Sequence, residues 1–375
     1  MKIHTADSLA KIEELDAESV HAIVTDPPYG LAFMGRDWDD FEPKEYQAWC
    51  EDWAQKAKRV LKPGGHLLAF SGNRTHHRLF TGVEDAGYEI RDTITWHYGS
   101  GFPKALDVAK SIDKRKGVDR TVVGTKTVDV GMQGGSMHAG RSSKTVEVDG
   151  TTATSPEAIR WEGWKSALKP ATEYVVLARK PFNQTIAENM IEHGTGALNI
   201  DGTRIDTDEN LDGGATKDTE RPSGWSDTTG GMFEKGSKRG IDYDPEGRYP
   251  ANVVFDEQAA DELDDVTRYF YTSKATKAER TLDGKIENAH PTVKPTDLME
   301  WLVTLVTAEK QIVLDPFIGS GTTGMACKNT NRDFIGIEQN PEYADIARVR
   351  CGLTPDDPSV VRDSAEHGLE AFTDT

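Results

Sequence analysis

At 375 residues the chain can bury a full α/β core and still carry a second region, while a formal net charge of −19 excludes binding to a polyanion except through a local basic surface. No apolar run approaches the length of a bilayer-spanning helix, and Met-Lys-Ile-His-Thr-Ala-Asp at the N-terminus lacks an apolar signal segment, so a cytoplasmic, intracellular protein with no membrane contact is expected. Cys50, Cys327 and Cys351 show neither paired nor metal-ligand spacing, which points to reduced, buried thiols and no metal.

Residues 2–5 read as a short strand, after which Asp7 and Ser8 cap a helix over 9–15. The β-branched run 20–25 is a second strand, and it stops at Asp26-Pro27-Pro28-Tyr29. Proline fixes φ and gives up its N–H, and the residue before a proline is pushed to extended geometry. Asp26 and the carbonyls of this loop are thereby stiff acceptors, with the flat ring of Tyr29 beside them. Acceptors next to a stacking face suit a planar ligand with an exocyclic amino group; an Asp-Pro turn with a packed tyrosine explains the same residues without a ligand. The segment 30–41, rich in Gly, Asp and aromatics, follows as a mobile cover. Helical periodicity then runs over 44–60 through Tyr46, Trp49, Trp53, Ala57 and Val60, whose aromatics are read as core. Pro63-Gly64-Gly65 turns the chain into a strand at 66–71, with a helix at 75–86 and a strand at 88–96 behind it.

Beyond Gly99 the pattern degrades. A short basic helix is expected within 104–116, and from 104 to 120 six cations stand against three acids. Lys110, Lys114, Arg115 and Lys116 are spaced to share one face of it and are candidate phosphate contacts. The stretch 117–160 shows no sustained period, 173–178 is one more strand, and 182–285 offers only brief strand candidates at 198–200, 252–255 and 268–272. A helix at 295–307 precedes an apolar strand that ends at Asp315. There Pro316-Phe317-Ile318-Gly319-Ser320-Gly321 forms a turn, read as Gly-x-Gly only, and a helix starts at Thr322. Glycine permits close approach of backbone to a ligand, and a helix N-terminus favours negative groups. No Gly-Lys-Ser/Thr follows, which argues against a P-loop. A last strand at 333–338 ends in Glu338, the usual place for an acceptor of ribose hydroxyls.

Asp26-Pro-Pro-Tyr29, His290-Pro-Thr-Val-Lys-Pro295 and Asp315-Pro-Phe-Ile-Gly-Ser-Gly-Thr-Thr323 resemble, in order and spacing, the motifs of DNA amino-methyltransferases that use S-adenosylmethionine. With the catalytic motif first and the cofactor motif last, the chain resembles the permuted β group of that family. The resemblance covers roughly 1–103, 165–182 and 286–352. It implies an α/β fold: a doubly wound, mostly parallel, Rossmann-like sheet of seven strands, circularly permuted so that the chain starts in the middle of the sheet. Residues 1–103 would form the catalytic half and 286–352 the cofactor half. A DNA-contacting insertion at 104–164 and a target-recognition region at 183–285 flank a scaffold strand at 165–182, and 353–375 is an acidic tail.

The resemblance further implies that Asp26, Pro27, Pro28 and Tyr29 are catalytic, with Tyr29 stacking on a flipped base. Asp315, Pro316, Phe317, Gly319, Ser320, Gly321 and Thr322 would surround the methionine part of the cofactor. Thr292, Lys294 and Pro295 would close over it, and Glu338 would hold the ribose. Asp7 would lie near the cofactor's adenine, although as an N-cap it needs no ligand. An exocyclic amine is a poor nucleophile because its lone pair is delocalised into the ring. Accepting its N–H bonds at Asp26 and the Pro27 carbonyl localises that pair toward the methyl group, with orientation and electrostatics sufficient. No Pro-Cys dipeptide is present, which argues against ring-carbon methylation. In the family, aspartate at the first motif position usually accompanies adenine and serine cytosine, so transfer to N6 of adenine in double-stranded DNA is expected. N4 of cytosine, an inactive DNA-binding regulator, and RNA or protein-glutamine transfer stay open, as do a partner restriction nuclease and a homodimer.

Overall fold

A computed structural model describes residues 1–31, 39, 41–99, 101, 105–129, 145–207, 247–263, 270–273, 281–282, 284–288 and 293–361. The apolar runs form the strands β1 (Lys2–Thr5), β2 (Val20–Thr25), β3 (Leu61–Ser71), β4 (Glu89–His97), β7 (Thr172–Arg179), β10 (Ile312–Asp315) and β11 (Asp333–Glu338). Two strands of the 104–164 insertion, β5 (Thr121–Asp129) and β6 (Thr145–Thr152), pair with each other as a separate two-stranded sheet among the described residues. With β8 (Val253–Asp256) and β9 (Tyr271–Ser273), the seven build, among the described residues, a nine-stranded sheet in the order β1-β11-β10-β2-β3-β7-β4-β8-β9. Neighbours are parallel except around β7, which runs antiparallel to both β3 and β4.

β2 and β10 read as continuous apolar runs because both faces are covered. On one face lies the helix α8 (Thr296–Val306), which buries Leu298, Leu302 and Val306 against Val24, Phe70 and Val313. On the other, the helix α2 (Pro43–Val60) buries Tyr46, Trp53 and Ala57 with the helix α3 (His76–Asp85). The aromatics of the 44–60 period are core, as read, and Cys50, Cys327 and Cys351 are free and buried.

Three expectations need correction. β1 stands at the edge of the sheet beside β11, and the chain reaches the middle only with β2; four half-exposed residues cannot fill a central position. The sheet exceeds seven strands by two. β8 and β9 are too short to show a period and are held by tertiary contacts instead: β8 pairs with Thr95–His97 of β4, and Tyr271 of β9 stacks on Trp301 of α8 at 5.5 Å. Part of the 183–285 stretch therefore shares the scaffold's core. The candidate at 198–200 is not a strand; it leads into the 3-10 turn Asp201–Thr203.

Between β4 and β7 the helices α4 (Val108–Lys116) and α5 (Pro156–Arg160) and the β5–β6 ribbon form a small arm. Among the described residues its apolar centre is Ala109, Ala153 and Ala158 with Ile112 beside them. A buried carboxylate does the rest: Asp113 accepts from Arg120 at 3.2 Å and from the Ser155 N–H and hydroxyl at 3.0 and 2.6 Å. Polar nucleation of this kind leaves no hydrophobic period, which is why 117–160 looked structureless.

Two buried imidazoles make the fold sensitive to acid. Burial, helped by Arg179 and Arg91, holds His66 of β3 down at about 3, and burial with Lys62 holds half-buried His21 of β2 at about 4. Both lie below the unfolded 6.5, so below that value the unfolded chain binds more protons than the native one. Their stabilisation is complete above pH 6.5 and is lost as pH falls through 4 toward 3. Asp315, pushed up to about 6 by burial, and Glu338, also raised by burial, act oppositely, but burial lowers His4 and His97 as well, so four imidazoles stand against two carboxylates. Thermal melts should show a midpoint that falls between about pH 7 and about pH 4.5. His66→Gln should flatten that decline; an unchanged slope would remove His66 from the account.

Candidate active site

The site lies at one edge of the sheet, where β2, β3, β10 and β11 end. Because β7 is antiparallel, it begins at this edge, so its second residue, Glu173, arrives where the parallel strands stop. Asp26 follows β2 on a pinned loop. The Tyr46 hydroxyl donates to the Pro28 carbonyl at 2.9 Å, and the buried Asp39 carboxylate accepts the N–H groups of Gly30 and Leu31 at 2.6 and 3.2 Å. Gly30 has φ +63°, and a β-carbon there would sit 2.6 Å from the Tyr46 ring, so the turn after Tyr29 requires glycine. Of the segment expected to cover the site, residues 32–38 and 40 lie outside the described residues.

Around Asp26 four side chains meet. The Lys294 ammonium donates to Asp26 Oδ2 at 2.6 Å, to Glu173 Oε2 at 3.2 Å and to the Tyr29 hydroxyl oxygen at 3.2 Å. The Tyr29 hydroxyl in turn reaches Asp26 Oδ1 at 2.8 Å and Glu173 Oε2 at 3.0 Å. Lys294 also lies 4.9 Å from the centre of the Phe70 ring and 5.5 Å from that of Tyr29. Burial alone would lower the Lys294 pKa, but Asp26 and Glu173 outweigh it and raise it, so the ammonium persists. Burial, then both carboxylates, push the Tyr29 phenol well above its usual value, which keeps it a neutral donor. Two carboxylates, one ammonium and a phenol leave one net negative charge at the loop.

The Thr25 hydroxyl donates to Asp315 Oδ1 at 2.6 Å and so ties the end of β2 to the end of β10. Asp315 also accepts from the Phe317 N–H at 3.0 Å and the Thr323 hydroxyl at 2.5 Å. Behind the turn, buried Arg350 holds the Ser320 carbonyl and hydroxyl and the Thr322 hydroxyl, and Ser8 donates to the Pro316 carbonyl. Phe317 packs on Trp49 and Trp53, and Glu338 accepts the N–H groups of Gly319 and Asn340, one per oxygen, at 3.0 and 2.8 Å. Burial raises the Glu338 pKa. Since the side chains of Asp315, Ser320 and Thr322 are tied from behind, the turn offers a ligand its backbone, the Phe317 ring and the spare lone pairs of Glu338.

Gly319 and Gly321 take φ of +54° and +93°. The expectation of Gly-x-Gly only, with Gly324 wrongly spaced for a longer motif, needs correction: Gly319, Gly321 and Gly324 have Gly-x-Gly-x-x-Gly spacing, and a β-carbon at 324 would meet Cys351 Sγ at 2.5 Å, so it serves close packing of the helix that starts at Thr322. Asp7 caps the first helix, accepting from the Ala10 N–H at 2.9 Å. Pro295 begins α8, and Thr292 lies outside the described residues. Lys294, expected over the cofactor, bonds Asp26 and Glu173, and Glu173 is not among the residues expected at the site. Lys110, Lys114, Arg115 and Lys116 are exposed on α4, Lys116 paired with Glu157.

A family model described as DNA methylase matches residues 20–349. The Type II methyltransferase M.HindIII of Haemophilus influenzae is 27% identical over 391 aligned positions, which cover 94% of this chain and 95% of that one. M.HpaI of Haemophilus parainfluenzae is 22% identical over 350, covering 92% and 72%. Among solved structures, PvuII DNA methyltransferase (cytosine-N4-specific) is similar at a TM-score of 0.49 and 16% identity, over 93% of this chain and 85% of that one.

Proposed function

The chain belongs to the DNA methylase family, and from that premise we propose that it transfers a methyl group to the exocyclic N6 of adenine in a base flipped out of double-stranded DNA. S-adenosylmethionine is the cofactor, and it supplies the methyl group on a sulfonium. The observation that carries the reading is the Asp26 carboxylate on a rigid loop, joined through Thr25 to the Asp315 strand end beside the glycine turn. Backbone of the turn, Phe317 and Glu338 suit the cofactor's methionine and ribose parts, so the methyl would arrive next to Asp26. Asp26 and the Pro27 carbonyl then accept the two N–H bonds of the amine and turn its lone pair toward the methyl. The Tyr29 ring supplies the stacking face for the flipped base. Aspartate rather than serine at position 26 favours adenine over cytosine.

Digesting methylated DNA to nucleosides and identifying the product by mass tests this. N6-methyldeoxyadenosine is expected; N4-methyldeoxycytidine would move the target, and no methylated nucleoside would defeat the reading.

For DNA contact, the exposed cations of α4 are the proposed phosphate ligands. Binding should weaken steeply with salt, because each neutralised phosphate releases counterions. Lys116 is already balanced by Glu157, so replacing Lys114, Arg115 and Lys116 together by Ala should flatten the salt slope by about two phosphate equivalents. All sequences should be affected alike, with cofactor affinity unchanged. An unaltered slope would send the DNA surface to another part of the chain.

A further inference from the structure

In the arrangement described, both oxygens of Asp26 are taken: Oδ2 by the Lys294 ammonium and Oδ1 by the Tyr29 hydroxyl. Each oxygen keeps a second lone pair, but a carboxylate whose charge is neutralised by an ammonium 2.6 Å away is a weak acceptor, so an incoming amine is held well only once Lys294 is drawn off. Each of these two donors has the same second acceptor, Glu173 Oε2, at 3.2 Å from Lys294 and 3.0 Å from Tyr29. We infer that Glu173 is a positioning residue that takes Lys294 and the Tyr29 proton off Asp26 when the target amine enters. The inference rests on the reading of Asp26 as the amine's acceptor.

Lys294 cannot retreat to solvent, since its side chain is 7% exposed, and a buried ammonium without a carboxylate is strongly disfavoured. Among the described residues its ion pairs are with Asp26 and Glu173. A cation already shared between two carboxylates moves from one to the other without ever being unpaired. The faces of Phe70 and Tyr29 beside the ammonium give it an attractive surface along the way. In the absence of a target base, Lys294 therefore stands in for the amine and acts as a plug by neutralising the charge of its acceptor. Tyr29 follows the same exchange by rotating its O–H from Asp26 to Glu173, with no movement of the ring.

A plug and its release predict an order of activities that a structural role would not. Glu173→Gln keeps the shape and an acceptor oxygen but removes the charge that draws Lys294 away, so the ammonium stays on Asp26. Tritium transfer from labelled S-adenosylmethionine to unmethylated bacterial genomic DNA, a pool that contains any short recognition site, should show kcat reduced about 100-fold. Calorimetric cofactor affinity and melting midpoint should stay near wild type. Removing the plug as well, in Glu173→Gln/Lys294→Met, should raise kcat at least about tenfold above Glu173→Gln alone, since Asp26 is then free to accept the amine. Should Glu173→Gln lower the midpoint, Glu173→Asp supplies the check: it keeps the charge that draws Lys294 away, so kcat should recover at least about tenfold above Glu173→Gln. Wild-type turnover in the single variant, or a double variant no faster than the single, would overturn the inference. A wild-type protein that leaves this DNA unmethylated would instead defeat the proposed function itself.

Discussion

Replacing Asp26 by alanine should slow methyl transfer on the order of 10³-fold while leaving S-adenosylmethionine affinity within a few-fold. In the proposed role the carboxylate acts where charge shifts on the amine in the transition state, so its loss should appear in kcat more than in ground-state binding. The fold should survive the change. Glu173 still neutralises Lys294, and the cluster goes from one net negative charge to none, so no buried ion is stranded. The link from Thr25 to Asp315, which aligns the cofactor side, does not involve Asp26. Asp26→Asn keeps one acceptor oxygen without the charge and should fall between wild type and alanine. Single-turnover methylation with calorimetry of the cofactor separates these effects. Near-normal turnover in Asp26→Ala would take the catalytic role away from that residue.

What the sequence made legible were the ends of strands. A β-branched run stopping at Asp26 and an apolar run stopping at Asp315 are local patterns, and their side-by-side placement follows once both are central parallel strands. Glu173 was illegible for the opposite reason. An acid beside the start of a strand looks like a solvated charge until β7 is known to run antiparallel, and it meets Tyr29 across 144 positions of chain. Lys294 lies 268 positions from Asp26, and its motif resembled a cofactor lid, so nothing local turned it toward the catalytic loop. β8 and β9 overlap the brief candidates at 252–255 and 268–272; what stayed illegible was their place in this sheet, which is set by pairing and by the stack of Tyr271 on Trp301. The same limit applies to the arm, whose centre is the Asp113 carboxylate rather than an apolar stripe.

Gly321→Val should cost more than a cofactor contact, because the space beside Gly321 is filled by the protein. A β-carbon at 321 would lie 2.8 Å from Ala347 Cα and 2.9 Å from Ala347 Cβ, on the helix Pro341–Cys351 that packs behind the turn. The backbone there also has φ +93°, which a β-branched residue resists. Overpacking and backbone strain together should destabilise the protein by about 3 kcal/mol or more. The nearest atom is main chain, so Ala347→Gly should not rescue the variant. Because the turn also starts the helix at Thr322 and receives the Glu338 carboxylate through Gly319, a displaced turn should weaken S-adenosylmethionine binding as well. Gly319→Ala carries the left-handed backbone cost, about 1 kcal/mol, and serves as the comparison. Thermal melts of both variants with cofactor calorimetry below the transition decide the matter. A Gly321→Val protein that melts like wild type would show that the Ala347 helix can move aside, and that glycine is required at this turn for the ligand alone.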